Sequence, residues 1–119
     1  MKGEFMVRVL VVDDEPLISL MVQEWLAALG CETIGPAVSV RSALDLIGTT
    51  TVDGAILDVS LDREDSFPVA EVLYKLGIPI AFATGHSGHD IEARFKDSLI
   101  LSKPFDFEAV KKFIAKLVH

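Results

Sequence analysis

Apolar runs that stop at a charged or hydroxyl residue alternate along this chain with segments whose apolar positions recur every three or four residues. Val7-Arg8-Val9-Leu10-Val11-Val12 runs into Asp13-Asp14, and Ala55-Ile56-Leu57 into Asp58. Ile80-Ala81-Phe82-Ala83 runs into Thr84, and Leu99-Ile100-Leu101-Ser102 into Lys103-Pro104. Short, near-continuous runs of this kind mark strands buried on both faces of a parallel sheet. The segments between them read as helices. Pro16 suits a first helical turn, Leu17, Ile18, Met21, Val22, Trp25, Leu26 and Leu29 share a face, and Gly30 closes the run. A weaker strand near Glu32-Thr33-Ile34 is expected to stop at Gly35-Pro36. Ser39 is placed to cap a second helix with Val40, Ala43, Leu44 and Ile47 inward. After Asp58 come a polar loop over 60–66, then a third helix with Val69, Val72, Leu73 and Leu76 inward, ended by Gly77. The fourth strand spans 78–84. Residues 85–95 read as a loop and a short helix with Ile91 and Phe95 inward, and 98–102 as the fifth strand. Asp106 caps a last helix that buries Phe107, Val110, Phe113, Ile114 and Leu117. This alternation implies right-handed crossovers and an α/β fold, a (βα)5 doubly wound domain on a five-stranded parallel sheet.

Composition narrows the picture. With 119 residues, half of them hydrophobic, the chain suits one domain with an ample core. No apolar run approaches the ~20 residues that span a bilayer, and no signal sequence opens the chain. A cytoplasmic, soluble protein without a membrane partner is therefore expected. Cys31 is alone, which excludes an internal disulfide and a thiolate zinc site. The formal charge of −7 argues against a nucleic-acid partner. The late cluster of Lys103, Lys111, Lys112 and Lys116 reads as a solvated helix face around one exception. Residues 1–6 read as a leader, and residues 7–119 as the folded unit.

The exception is Lys103, because ligands of an open parallel sheet bind beyond the carboxyl ends of its strands. Asp13, Asp14, Asp58, Thr84 and Lys103 all fall there. Singly, each has an ordinary explanation: a pair of acids solvating a turn, a strand-end threonine, a surface lysine. Together, on the ends of four runs, they suit a divalent cation and a phosphoryl group. Carboxylates that close repel unless a cation compensates, and Mg²⁺ (or Mn²⁺) prefers such oxygen ligands. Pro104 adds that a cis Lys103–Pro104 bond would aim the ammonium across the rim. Lys103 is expected to contribute little stability there. His86 and His89 have no further His or Cys in their loop, so they read as polar loop residues rather than metal ligands.

With these residues in place, the chain resembles the receiver domain of bacterial two-component response regulators from Val7 to Leu117. The resemblance is carried by Val11-Val12-Asp13-Asp14-Glu15-Pro16, Ile56-Leu57-Asp58, Thr84-Gly85 and Ser102-Lys103-Pro104-Phe105. Pro79-Ile80-Ala81-Phe82-Ala83-Thr84-Gly85-His86 is similar to the FATGUY subgroup of stand-alone receivers. The resemblance implies the flavodoxin-like strand order 2-1-3-4-5. It further implies that Asp58 accepts a phosphoryl group, that Asp14 binds Mg²⁺ directly and Asp13 through water, and that a Ser60 backbone carbonyl completes the metal site. Thr84 then supplies the switch hydroxyl and Lys103 the phosphate-binding ammonium. The implied partners are a sensor histidine kinase or phosphotransfer protein and a downstream target protein. A homodimer through the last helices is left open. The domain would be a signalling phosphoacceptor rather than an enzyme, with output through the face of the fourth helix, fifth strand and last helix. Two departures stand out: Asp62 where such loops usually carry proline, and Ile100 where a switch aromatic is usual. Other classes fit less well. A phosphatase of the haloacid-dehalogenase type needs aspartates spaced one apart, whereas Asp13 and Asp14 are adjacent. A flavin module would need donors where the first loop is acidic. A phosphate sink that competes for the kinase is an alternative output.

Overall fold

A computed structural model describes residues 6–61, 63–85, 95 and 98–117. Strand β1 (Arg8–Val12) leads to helix α1 (Pro16–Ala28), β2 (Glu32–Ala37), α2 (Val40–Thr49) and β3 (Gly54–Asp58). Two short strands follow, β4 (Ser60–Leu61) and β5 (Glu64–Asp65), then α3 (Phe67–Lys75), β6 (Ile80–Thr84), β7 (Leu99–Ser102) and α4 (Phe107–Leu117). The main sheet is parallel and runs β2-β1-β3-β6-β7, which is the expected order 2-1-3-4-5 when its five strands are counted alone. Most of the expected segment at 85–95, with Ile91, His86 and His89, lies outside the described residues, as do Asp62 and residues 1–5.

Helices cover both faces of the sheet. Leu10, Val12, Leu57 and Phe82 point into a core shared with Ala43, Val69, Leu73 and Phe95. Val9, Val11, Ile56 and Ala81 point the other way, against Val22, Leu26, Val110 and Phe113. Alternate residues of one strand thus serve opposite cores, which is why residues 9–12, 55–57 and 80–83 are apolar throughout. Phe95 is fully buried as expected, its ring stacked on Phe67 at 5.9 Å between centroids. Ile100, noted in the sequence as a departure, is partly buried against the same core.

Four readings of the sequence change. The second strand does not stop at Gly35-Pro36. It continues to Ala37 with a bulge opposite Val11 and a cis Gly35–Pro36 bond. Gly35 makes that possible: its φ is +100°, and an added Cβ would stand 2.7 Å from the Ala37 nitrogen. On α1, Leu17 and Met21 are exposed instead of buried, while Ser19 is covered. Leu17 sits five residues from Val22, about 140° round the helix, too far to share its face. In α3 the helix ends at Lys75, so Leu76 lies in the exposed closing turn and Ala70 takes the inward place. Finally, the polar loop after Asp58 holds an antiparallel hairpin, Ser60 opposite Asp65 and Leu61 opposite Glu64, anchored by the buried Leu61. The caps fall where expected. Ser39 and Ser42 form a reciprocal capping box on α2, and Asp106 accepts the Ala109 N–H on α4.

Candidate phosphoryl and metal site

Register brings the strand ends into line. Val12 pairs with Leu57, Asp58 with Ala83, and Thr84 with Ser102, so the residues that end the runs lie side by side on one edge. The continuation of β2 fixes the first of them, because the Asp13 N–H donates to the Ala37 carbonyl at 3.0 Å. Asp13 then turns its Oδ1 back to accept the Glu15 N–H at 2.8 Å, and the Ser19 hydroxyl donates to its carbonyl at 3.3 Å. That explains the buried serine on α1. It holds the loop that presents the acids.

Asp13 and Asp58 are buried, Asp14 is half-buried, and one carboxylate oxygen of each lies within 4.8 Å of the others. Asp58 Oδ1 accepts the Ser60 N–H at 3.3 Å and Oδ2 accepts from Lys103 Nζ at 3.0 Å. The Lys103–Pro104 bond is cis. Lys103 Nζ also reaches Glu15 Oε1 at 3.0 Å and lies 3.9 Å from Asp13 Oδ2. Its backbone N–H donates to the Thr84 carbonyl at 2.8 Å, which ties the last two strand ends together. A cavity of about 330 Å³ opens over this edge, bordered by Asp14, Glu15, Asp58, Ser60, Thr84 and Lys103.

The electrostatics are unbalanced. Burial pushes the Asp13 carboxyl up to about 6, a rise opposed by its hydrogen bond from Glu15 and reinforced by the Asp58 charge. Burial raises Asp58 as well, outweighing the hydrogen bond from Lys103. Burial works to lower Lys103, but the hydrogen bonds to Glu15 and Asp58 prevail and hold its ammonium above the ordinary lysine value. Among the described residues one ammonium thus faces four acids. A donor set of clustered carboxylates short of positive charge fits a hard dication.

The structure brings together every residue singled out in the sequence: Asp13, Asp14, Asp58, Ser60, Thr84 and Lys103. One expectation about Lys103 changes. Its side chain is only 19% exposed and contacts three acids, so it is no free surface lysine. Glu15 was missed. The signal was a third acid directly after Asp13-Asp14, but its partner lies 88 positions away and no spacing rule connects them.

Comparison with known proteins finds a family, curated relatives and solved structures to which the chain is similar. The family model of the response regulator receiver domain matches residues 9–115. The sensory transduction protein LytT of Bacillus subtilis is 35% identical over an alignment covering 93% of this chain and 48% of LytT. The transcriptional regulatory protein PdtaR of Mycobacterium tuberculosis is 34% identical, covering 82% of this chain and 50% of PdtaR. The chain therefore spans about half the length of these relatives. Among solved structures, SdrG from Sphingomonas melonis is 40% identical with a TM-score of 0.83, covering 96% of this chain and 98% of SdrG. TrrA from Thermotoga maritima, solved in complex with Mg²⁺ and beryllium fluoride, is 28% identical with a TM-score of 0.82, covering 95% of this chain and all of TrrA.

Proposed function

The chain belongs to the response regulator receiver domain family of two-component signalling, and from that premise we propose that it accepts a phosphoryl group on Asp58. The observation that carries the reading is the Asp58 carboxylate itself, which borders the cavity with Lys103 Nζ at 3.0 Å and the Asp13 and Asp14 oxygens close by. A carboxylate oxygen of Asp58 forms the new O–P bond as the donor's bond to phosphorus breaks, and the leaving group keeps that electron pair. Little covalent chemistry is asked of the protein beyond position and charge. Lys103 neutralises charge on the phosphoryl oxygens, and its tie to the Thr84 carbonyl keeps the ammonium and the Thr84 residue in fixed relation. Asp14, Asp58 and the Ser60 backbone carbonyl would hold Mg²⁺ or Mn²⁺, with Asp13 acting through water, and the ion would supply further positive charge against those oxygens. TrrA, a relative of the same fold, was solved with that cation and beryllium fluoride, which supports the reading.

The donor in this reading is a phosphohistidine of a sensor kinase or phosphotransfer protein, encountered in the cytoplasm. The phosphoryl group adds charge beside existing carboxylates, and Thr84 answers it by donating to a phosphoryl oxygen. The response travels through Ile100 and the α4 side to a protein target, where a second copy of the chain is one candidate. The test is incubation with Mg²⁺ and acetyl phosphate, followed by intact-mass measurement and site mapping. The expected result is one added phosphoryl group on Asp58, not formed when the metal is chelated beforehand and absent in Asp58→Asn. Labelling of Asp58→Asn at the wild-type rate would overturn the assignment.

A further inference from the structure

Two acids hold the Lys103 ammonium at hydrogen-bond distance, and only one of them is the proposed acceptor. Nζ stands 3.0 Å from Asp58 Oδ2 and equally 3.0 Å from Glu15 Oε1, with Asp13 Oδ2 farther off at 3.9 Å. Glu15 also borders the cavity beside Asp58 and Thr84. Its two halves have separate tasks. The backbone N–H fixes Asp13, while the side chain, 56% exposed, gives α1 no cap hydrogen bond and reaches over to Lys103.

We propose that the Glu15 carboxylate is a positioning group that holds, on Lys103, the hydrogen-bonding place a phosphoryl oxygen takes, and so restrains transfer to Asp58. The inference rests on the phosphoacceptor reading above. An ammonium has three N–H donors and no acceptor. One serves Asp58 and one serves Glu15, while Asp13 Oδ2 stands at 3.9 Å. A phosphoryl oxygen arriving at Asp58 therefore competes with these acids for the ammonium. Asp13 is buried and tied by the Glu15 N–H, whereas the half-exposed Glu15 side chain swings into water, where an ion pair with lysine is worth little. The Glu15 charge acts in the same direction. Held by Lys103 at the border of the cavity until it is displaced, it repels an approaching dianionic donor, by an amount that falls as salt screens it.

The experiment compares the unmodified chain with Glu15→Gln, each with Mg²⁺, by the rate of mass increase. Two donors are used: acetyl phosphate, and phosphoramidate, whose protonated nitrogen leaves it less negative. Glu15→Gln is expected to label about fivefold faster with acetyl phosphate at low salt. The gain should be smaller with phosphoramidate and should shrink as salt rises, which a merely structural effect on the loop would not do. Glu15→Ala, which leaves no side-chain oxygen to accept from Lys103 as an amide still could, is expected to change the rate in the same direction. A rate no faster than wild type in both variants, or an equal gain on both donors, overturns the role of Glu15 while leaving Asp58 as acceptor. A wild-type chain that gains no phosphoryl group at all overturns the acceptor reading, and this inference with it.

Discussion

At the scale of single residues, the site stores unfavourable charge in the metal-free fold. The Asp13 carboxyl sits at about 6 in the folded chain against an ordinary 3.8. The folded state therefore binds its proton more tightly than the unfolded state does. Its contribution is fully present below the ordinary value and is lost as pH rises toward about 6, by up to about 3 kcal/mol. Burial acts the same way on Asp58. Asp13→Asn keeps the oxygen that accepts the Glu15 N–H and removes the charge, so it should raise the melting midpoint of the metal-free protein at neutral pH. The gain should vanish in acid, and thermal melts across that pH range with chelator present check it. A variant less stable than wild type at neutral pH would show that the Lys103 contact outweighs burial at Asp13. The carboxylates and Lys103 were legible in the sequence because each closes an apolar run. The Glu15–Lys103 contact was not, because it depends on side-chain reach between two loops.

At the scale of elements, the bulged end of β2 belongs to the site as much as to the sheet. Gly35 sits at φ +100° with the Ala37 nitrogen 2.7 Å and the Val11 carbonyl 3.1 Å from where a Cβ would be. Ala37 in turn receives the Asp13 N–H. Gly35→Ala should destabilise the domain by roughly 1–2 kcal/mol. It should also weaken Mg²⁺ binding, though no atom of residue 35 belongs to the proposed metal set. Denaturant unfolding together with a Mg²⁺ titration separates the two effects, and an unchanged titration would show that Asp13 is positioned without β2. The sequence reading ended this strand at Gly35-Pro36, since proline and glycine usually punctuate strands. It could not foresee that a bulge carries the strand two residues on. The breadth assigned to the buried face of α1 failed for another reason. Apolar residues continue past the stripe, leaving Leu17, Leu20 and Met21 exposed next to the loop that carries Asp13 and Asp14.

At the scale of the molecule, the strand order and the two-faced core were legible because alternating strand and helix patterns admit few topologies. What the pattern could not give was the register that sets Asp58 beside Asp13, or the hairpin folded over the acceptor. The proposed switch also acts at this scale. Lys103 joins β6 to β7 through the Thr84 carbonyl, at 2.8 Å. Occupation of the acceptor should therefore be felt along both strands. Mapping of amide chemical shifts with and without beryllium fluoride and Mg²⁺ should show changes at Thr84, in 99–102 and at the start of α4, as well as around Asp13 and Asp58. A response confined to the residues around Asp13, Asp58 and Lys103, with 99–101 and α4 silent, would contradict a transmitted switch and favour a phosphate sink.

The small hairpin after Asp58 has a consequence of its own. Glu64 Oε2 accepts the Val40 N–H at 3.0 Å, so the hairpin whose first strand borders the cavity also holds the first turn of α2 through its second. That N–H is one of the donors a helix leaves without an internal partner. A displacement of β5 that carries Glu64 away strips Val40 of its acceptor and hands that amide to water. Movement of the hairpin and fraying of the first turn of α2 are thus coupled through this one hydrogen bond.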